Sequence, residues 1–387
     1  MAVTTGQADA RKRHFHHHKS SSIELQLKGT VELSEGVAEI SAFDSKSKRL
    51  FIVDGSSTLK IVDLSDPGAP TELPGEAIDV GADILADTGF AAGNANSIAV
   101  KRGLLEVAIA ADPVTDDGFV AFYDTDGTYK FSCRAGALPD MVTFTPDGKT
   151  ILVANEGEPD DGVDPVGSVS VIDVRKVKRS GGCDAPYAIR SAGFERFDGH
   201  EDFLRARGVR LFPGKSVSED VEPEYIALSD DSRTAWVTLQ EANSMALVSV
   251  RHARVLKILP LGLKDHSVAG NGLDASDKDD AINIQPWPVF GMYMPDSIAS
   301  FSARGRTYLV TANEGDDRGE DERIEDLVLD PTAFPNAADL QDEEALGRLG
   351  VSTIDGDTDG DGDYDKLFSY GARSFTIWDG YGRKVHD

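Results

Sequence analysis

The feature that most constrains the fold is a strand–turn–strand phrase that recurs along the chain. Copies of it lie at 37–67, 95–124, 138–174, 222–250 and 294–317. Each copy has an alternating apolar segment, a polar turn and a second, more continuously apolar segment. Short antiparallel strands that repeat every forty to sixty residues or so are typical of propeller blades. The sequence therefore predicts an all-β fold, a β-propeller of about six to seven blades. Stacked β-sandwiches are the alternative, although they rarely repeat one phrase so often.

Three longer, acidic segments interrupt the repeats. We expect a disordered N-terminal segment at 1–22, which is polar and basic, followed by the propeller at 23–387. The insertions lie near 181–218, 264–290 and 318–366. Long loops on a rigid scaffold are where binding and catalytic residues concentrate. Function is therefore expected in these insertions.

The chain is strongly acidic, with 67 Asp and Glu against 39 Lys and Arg and a formal net charge of −28. Such a field repels nucleic acid and anionic membranes, which excludes both as main partners. It attracts divalent cations, and hard cations such as Ca²⁺ prefer carboxylate oxygen. An acidic surface that serves solubility alone is the other interpretation.

Two features bear on the compartment. No stretch approaches the roughly 18 apolar residues of a membrane span, and residues 1–22 lack the apolar core of a signal peptide. Cys133 and Cys183 fit no zinc-binding pattern. They are compatible with one disulfide in an exported protein, or with two buried thiols.

The sharpest local motif is an acidic loop that places Asp at every second position. Its candidate Ca²⁺ ligands are Asp355, Asp357, Asp359, Asp361 and Asp363. Oxygen ligands at this spacing let a short loop wrap one ion, and Gly360 permits the sharp turn. The loop departs from an EF-hand because Lys366 stands where a bidentate Glu is required. A solvated acidic loop without an ion is the alternative.

Two weaker groups also have spaced oxygen ligands. The first is loose and comprises Asp274, Ser276, Asp277 and Asp279. The second follows two copies of the phrase Ala-Asn-Glu-Gly, at 154–157 and 312–315, and comprises Glu156, Glu158, Glu314 and Asp316. Equivalent positions in two blades would place both loops on one face, where the acidic residues at 219–224 could join them. Alternatively, Asn and Glu there only satisfy backbone groups at strand ends.

Several phrases together resemble the choice-of-anchor I family. They are GALPDMVTFTPDGKTILVANEGEP, RARGVRLFPG, MPDSIASF with TANEGDDRG, and DGDTDGDGDYDKLFSYGARSFTIWD. The resemblance runs from about residue 24 to the end of the chain. It implies a YVTN-like propeller, export, and attachment to the cell surface through varied C-terminal anchors.

The resemblance also sets expectations that the residues alone do not. Members continue past the FTIWD strand with further blades, so we expect this propeller to be incomplete at the C-terminus. The family includes mesenchyme-specific cell-surface glycoproteins associated with biomineralising cells. Some bacterial members carry the label alkaline phosphatase.

Two hypotheses about function follow. The first is an extracellular, Ca²⁺-binding surface module for adhesion or mineral association, with matrix or mineral as partner. The second is a metal-dependent phosphoesterase, in which Ca²⁺ held near Glu156, Glu158 and Glu314 would polarise a phosphate ester and activate water. No GxSxG, Walker or HExxH motif supplies another catalytic centre. Carboxylates from several blades that converge at one place would favour the enzyme, and scattered acidic loops would favour the module.

Overall fold

The computed structural model describes residues 24–34 and 36–387. The predicted disordered segment at 1–22 lies outside the described residues. Six sheets make up the described part. Three are meanders of four consecutive strands, and two more have the same antiparallel order with an extra short strand or an interruption. The predicted all-β propeller with acidic insertions is confirmed.

The first three blades follow one another without interruption. Blade 1 consists of β1 (Ile40–Asp44), β2 (Arg49–Val53), β3 (Thr58–Asp63), β4 (Thr71–Glu72) and β5 (Ile78–Asp79). Blade 2 consists of β6 (Ala92–Lys101), β7 (Leu104–Ala111), β8 (Asp117–Asp124) and β9 (Tyr129–Ala137). Blade 3 consists of β10 (Pro139–Phe144), β11 (Thr150–Asn155), β12 (Ser168–Asp173) and β13 (Ile189–Gly193).

Blade 4 is formed by consecutive strands, whereas the strands of blade 5 are separated in the chain by a long segment. Blade 4 consists of β14 (Pro223–Leu228), β15 (Thr234–Leu239), β16 (Ser244–Ser249) and β17 (Arg254–Pro260). Blade 5 consists of β20 (Ile298–Ala303), β21 (Arg306–Asn313), β25 (Ser374–Asp379) and β26 (Lys384–His386). The first strands of neighbouring blades contact each other in the order β1, β6, β10, β14 and β20, so these are the inner strands of the propeller.

The sixth sheet is built from the segments between and within these last blades. Its strands are β18 (Leu263–Asp265), β19 (Phe290–Met292), β24 (Phe368–Ser369), β23 (Gly350–Ser352) and β22 (Asp321–Arg323), in that order across the sheet. β19 and β24 pair in parallel and the other neighbours pair antiparallel. We call it the insertion sheet, because it joins the predicted insertions near 264–290 and 318–366.

Among the described residues, five short α-helices occupy connections between strands. They are α1 (Val80–Thr88), α2 (Val174–Ser180), α3 (Glu201–Arg205), α4 (Val217–Asp220) and α5 (Ala337–Leu340). α2 shows why helices form here: the Asp173 side chain accepts from the backbone N–H groups of Arg175 and Lys176 at its start. Gly181 ends it with a left-handed φ of 66°. The predicted insertion at 181–218 contains β13 of blade 3, α3 and the first residues of α4.

The repeated turn explains why the blades share a register. In blade 3, Thr145 Oγ1 accepts the Thr150 backbone N–H at 3.1 Å, and Asp147 Oδ1 accepts the Lys149 N–H at 3.0 Å. In blade 4, Ser229 Oγ accepts from the Thr234 N–H at 3.0 Å in the same way. Such side-chain bonds to the backbone fix a tight turn between the first two strands of a blade.

The core lies between adjacent blades. Phe51 and Tyr123 are fully buried between blades 1 and 2, and Phe122 stacks on Phe131 between blades 2 and 3 with centroids 4.6 Å apart. Each blade therefore buries one face against each neighbour. The inner strands are held with their ends side by side, and this positions the residues described next.

Candidate metal-binding sites

The acidic loop gathers three of the predicted Ca²⁺ ligands. Asp357, Asp359 and Asp361 each place one carboxylate oxygen within 4.8 Å of the others. The backbone N–H groups of Gly360 and Gly362 donate to the two oxygens of Asp357 at 2.7 and 3.0 Å. The negative charge of Asp361 raises the pKa of Asp359. Like charges held this close favour a cation between them.

A second triplet lies beside the first and was not predicted as a unit. Asp330, Asp363 and Asp365 also bring oxygens within 4.8 Å of one another. Asp330 arrives from a distant part of the chain, because its backbone N–H donates to the Tyr364 carbonyl at 3.1 Å. Thr358 donates to Asp365 from both its N–H and its hydroxyl, which lowers the pKa of Asp365. The acidic loop thus offers two adjacent sets of oxygen ligands.

Asp355 lies apart from both triplets. Its Oδ2 accepts from Arg210 Nε at 2.7 Å and from the Ser352 hydroxyl at 2.6 Å. Arg210 is buried and also pairs with Glu320 at 2.5 Å. The structure therefore places Asp355 as a counter-ion that ties the insertion at 181–218 to the insertion sheet.

The side chains of the loosely spaced candidate group predicted at 274–279 do not form a cluster. It comprises Asp274, Ser276, Asp277 and Asp279. Asp277 pairs with Arg348, Nε to Oδ1, at 3.2 Å, and the Ser276 hydroxyl donates to the Glu343 carbonyl at 2.6 Å. Within the described part of the chain, no three acidic groups of this segment meet within 4.8 Å.

A different set of carboxylates lies at one end of the inner strands of three blades. Each of these strands begins at or just after a Pro followed by an acid: Asp140 in β10, Glu224 in β14 and Asp296 before β20. β10 contacts β14 and β14 contacts β20. The same position in three neighbouring blades therefore contributes one carboxylate each.

A second row of acids follows the second strand of the same blades. Glu156 follows β11, Glu241 lies two residues past β15, and Glu314 follows β21. We use "inner acidic cluster" for the six buried or half-buried acids at these strand ends: Asp140, Glu156, Glu222, Glu224, Glu241 and Asp296. Glu314 and the predicted Glu158 and Asp316 are exposed around it.

Burial and neighbouring negative charges raise the pKa values of these groups. Burial and the charges of Asp140, Glu158, Glu222 and Glu241 raise the pKa of Glu156 to about 9. Burial and the charge of Asp296 raise the pKa of Asp140 to about 7.

Glu224 is also a buried member of the cluster. Burial first, and then neighbouring acids led by Glu156, raise its pKa well above its ordinary value. The ionised forms are therefore strongly disfavoured without a compensating cation.

One arginine compensates part of this charge. Arg318 donates to Asp220 Oδ1 at 2.9 Å and to Glu222 Oε2 at 2.9 Å, and its Nη2 lies 3.9 Å from Glu241. Arg318 also lies over the Phe212 ring, 4.8 Å from the centroid, as Arg210 does at 4.9 Å. Arg210 and Arg318, two counter-ions from different insertions, thus meet at one aromatic side chain.

Four members of the cluster have no such partner. Within residues 24–34 and 36–387, no Lys or Arg pairs with Asp140, Glu156, Glu224 or Asp296. The side chains of Asp140, Glu156 and Glu224 accept no hydrogen bond there either. Glu224 is only 7% exposed.

Sequence reasoning found part of this cluster and missed the rest. It predicted Glu156 and the acidic residues near 222–224, but not Asp140, Glu241, Asp296 or Arg318. The available signal was the Pro-acid pair at 139–140, 223–224 and 295–296, which recurs at the start of three inner strands. Among the residues at 219–224, Glu219 instead caps α4 through Ser216.

Two further findings bear on the compartment. Cys133 and Cys183 form a disulfide, with Cα atoms 5.6 Å apart. Disulfides persist in oxidising compartments. Within the described residues, the helices are all too short or too polar to cross a bilayer.

Comparisons with solved structures return distant similarities. A protein from Lactobacillus plantarum is 12% identical, with a TM-score of 0.43, over 88% of this chain and 74% of that one. Kuenenia stuttgartiensis hydrazine synthase is 14% identical, with a TM-score of 0.34, over 71% and 80%. KlHsv2 with loop 6CD replaced by a Gly-Ser linker is 10% identical, with a TM-score of 0.40, over 73% and 63%. Similarities this distant say nothing about function.

Sequence comparison is more specific. No curated protein matches the chain. The family model described as "Choice-of-anchor I domain" matches residues 39–387, which covers all five blades and the insertion sheet. The chain therefore belongs to the choice-of-anchor I domain family.

Proposed function

We propose that this chain is a Ca²⁺-binding propeller that works at the cell surface or outside the cell as a binding, adhesion or mineral-associated module. The observation that carries this proposal is the pair of Asp triplets in the acidic loop. Asp oxygens at this density, in a loop turned by Gly360 and Gly362, are the ligands that Ca²⁺ prefers.

The proposed location and partners rest on other observations. The Cys133–Cys183 disulfide supports an oxidising compartment, and the family's name refers to surface anchoring. A net charge of −28 favours partners that carry or bind divalent cations, such as extracellular matrix or mineral.

The test is a Ca²⁺ titration of chelator-treated protein, followed by thermal unfolding and by counting bound ions in equilibrium dialysis. A ligand that binds only the folded state stabilises it by about 2.7 kcal/mol at a hundred times its Kd. We expect Asp357→Asn combined with Asp359→Asn to remove bound Ca²⁺ and part of the rise in Tm. Tb³⁺ luminescence sensitised by Tyr364, which lies in the loop, reports occupancy locally and should fall in the same variant.

The matched control is Asp339→Asn combined with Glu343→Gln. Both side chains are exposed, and the control removes the same charge as the loop variant. It should bind Ca²⁺ like the wild type. If the loop variant also keeps the wild-type number of bound ions and the Tb³⁺ signal, the acidic loop is not a Ca²⁺ site.

A second candidate function is a metal-dependent phosphoesterase. The observation that favours it is the convergence of carboxylates from blades 3, 4 and 5 in the inner acidic cluster. Metal ions held there would polarise a phosphate ester and lower the pKa of an attacking water. Glu156 and Glu224 are the residues that such chemistry would use.

Hydrolysis of p-nitrophenyl phosphate, with and without Ca²⁺, tests this candidate. A phosphoesterase at the cluster should show Ca²⁺-dependent turnover that Glu156→Gln abolishes and that Asp357→Asn with Asp359→Asn leaves intact. Absence of Ca²⁺-dependent turnover in the wild type would reject the phosphoesterase and leave the surface module.

A further inference from the structure

Within residues 24–34 and 36–387, the inner acidic cluster contains more carboxylates than neighbouring basic side chains pair with. Six carboxylates from three blades lie together, and Arg318 is the basic side chain that pairs within the cluster. Arg318 also pairs with Asp220. Its single positive charge therefore cannot neutralise both Glu222 and Glu241. Burying unpaired charge costs several kcal/mol per ion in proteins, as a rough guide. Something must compensate the remaining acids.

Individual oxygens show where compensation is lacking. Glu222 Oε1 and Glu241 Oε2 are buried and receive no hydrogen bond within the described residues. Glu222 and Glu241 are 2% and 6% exposed and lie against each other. Two carboxylates in contact need either a shared proton or a cation. Among the described residues, no donor contacts the carboxylate of Glu224 beside them.

The arrangement of the carboxylates favours compensation by one metal ion over protonation of the individual side chains. Asp140 and Glu224 are the second residues of β10 and β14, and Asp296 lies two residues before the adjacent inner strand β20. Hydrogen bonds between blades fix two of these positions: the Asn96 amide of blade 2 donates to the Pro139 carbonyl at 3.1 Å, and the Thr238 hydroxyl of blade 4 donates to the Asp296 carbonyl at 2.6 Å. Ligands on rigid elements hold a geometry better than ligands on loops.

We propose that the inner acidic cluster is a divalent-cation site, separate from the acidic loop, in which Asp140, Glu224 and Asp296 supply one carboxylate from each of three blades. Glu156 completes the ring of oxygens. The ion belongs to the hard, oxygen-preferring class, with Ca²⁺ first because large coordination numbers suit many carboxylates. The site goes beyond the proposed Ca²⁺ loop and does not depend on it.

To hold such an ion, the carboxylates of the cluster would turn towards one another. Its oxygens do not form a set of three within 4.8 Å, as the acidic-loop triplets do among the described residues. Oxygens on opposite sides of a Ca²⁺ ion with bonds of 2.3–2.6 Å lie up to about 5 Å apart. Rotation of the ionised side chains towards a shared cation would have to bring the ligand oxygens within this distance, and bound water can supply the remaining ligands.

Arg318 sets the boundary of the site. It holds Glu222 from one side through Nε at 2.9 Å, and it leaves Glu224 and Asp140 without a cation. Arg318 follows the Glu314–Asp316 loop of blade 5, so the same segment supplies exposed acids around the cluster and the arginine that closes it. A divalent ion would be held on the side of the cluster away from Arg318.

The experiment counts ions. Glu224→Gln combined with Asp296→Asn keeps the shape of both side chains and removes two charges. Equilibrium dialysis against Ca²⁺ at pH 8 should show about one bound ion per chain fewer than in the wild type. The loop variant, Asp357→Asn with Asp359→Asn, should keep that ion, and combining the two variants should remove both classes of site. Failure of the acidic loop to bind Ca²⁺ would therefore be visible separately.

Thermal stability is a second readout. A variant that folds poorly would have a lower Tm, whereas the proposal predicts a higher one in chelator. In chelator, the Glu224→Gln/Asp296→Asn variant should have a higher Tm than the wild type, because like-charge repulsion is relieved. With Ca²⁺ added, the wild type should gain more than the variant. The exposed Asp339→Asn/Glu343→Gln pair is the control for net charge.

Two results would overturn the proposal. One is an unchanged number of bound ions in the Glu224→Gln/Asp296→Asn variant. The other is a wild type whose Tm in Ca²⁺ and in chelator differs only by the contribution that the loop variant removes. Either result would mean that protons alone compensate the cluster.

Discussion

Glu106 is an acid for which the structure provides no partner. It lies in β7, is fully buried, and neither carboxylate oxygen has a hydrogen bond within the described residues. A buried polar group without a partner costs about 1–3 kcal/mol. We expect Glu106→Met to raise the free energy of unfolding by about that amount, as measured by urea denaturation. A loss of stability in this variant would show that Glu106 has a partner.

The pH dependence of the same residue gives an independent prediction. Burial raises the pKa of Glu106 well above its ordinary value, and Lys178 offsets this only in part. A carboxyl whose folded pKa is raised contributes stability below its unfolded pKa, and this contribution is lost as the pH rises towards the folded pKa. From about pH 4.5 upward, the wild type should therefore lose stability relative to Glu106→Gln, which does not titrate. Parallel pH profiles of Tm for the two proteins would contradict this.

At the scale of elements, the disulfide fastens two blades together. Cys133 lies in β9 of blade 2, and Cys183 follows α2 of blade 3, 50 residues along the chain. Closing a loop of this length in the unfolded chain is worth about 4 kcal/mol in the chain-entropy model. Cys133→Ser with Cys183→Ser should lower the urea midpoint accordingly. The reduced wild type should match the variant, and an unchanged midpoint in both would show that the bond adds no stability.

The elements also show what the sequence could and could not predict. The blades were predictable because their turns carry local signals, such as Thr145 and Asp147 in blade 3. The insertion sheet was not, because its strands are two or three residues long and pair across distant segments, as Phe290 does with Phe368. No periodicity can appear in so short a strand.

The same limit applies to the candidate sites. Spacing identified Asp357, Asp359 and Asp361, since those ligands are neighbours in the chain. Asp330 joins the adjacent triplet only through backbone pairing with Tyr364. The inner acidic cluster forms because three blades lie side by side. In the sequence, the only sign of it is the repeated Pro-acid pair.

At the scale of the whole molecule, Arg318 is a residue whose ion pairs join an insertion to the propeller. It extends from the segment between β21 and β22 into blade 4, where Asp220 and Glu222 are almost completely buried. Removing one member of a buried ion pair leaves the other charge uncompensated, which costs about 3–5 kcal/mol. Arg318→Ala should therefore destabilise the protein by about that amount in chelator, as measured by urea denaturation.

The companion variant separates charge from packing. Arg318→Ala combined with Glu222→Gln removes both the arginine and one of the charges it serves, so much of the lost stability should return. Arg318→Ala also removes contact with the Phe212 ring, and that part should not return. A double variant no more stable than Arg318→Ala alone would mean that Arg318 acts through packing. Recovery would instead show that charge balance at the inner strands holds the insertions to the propeller.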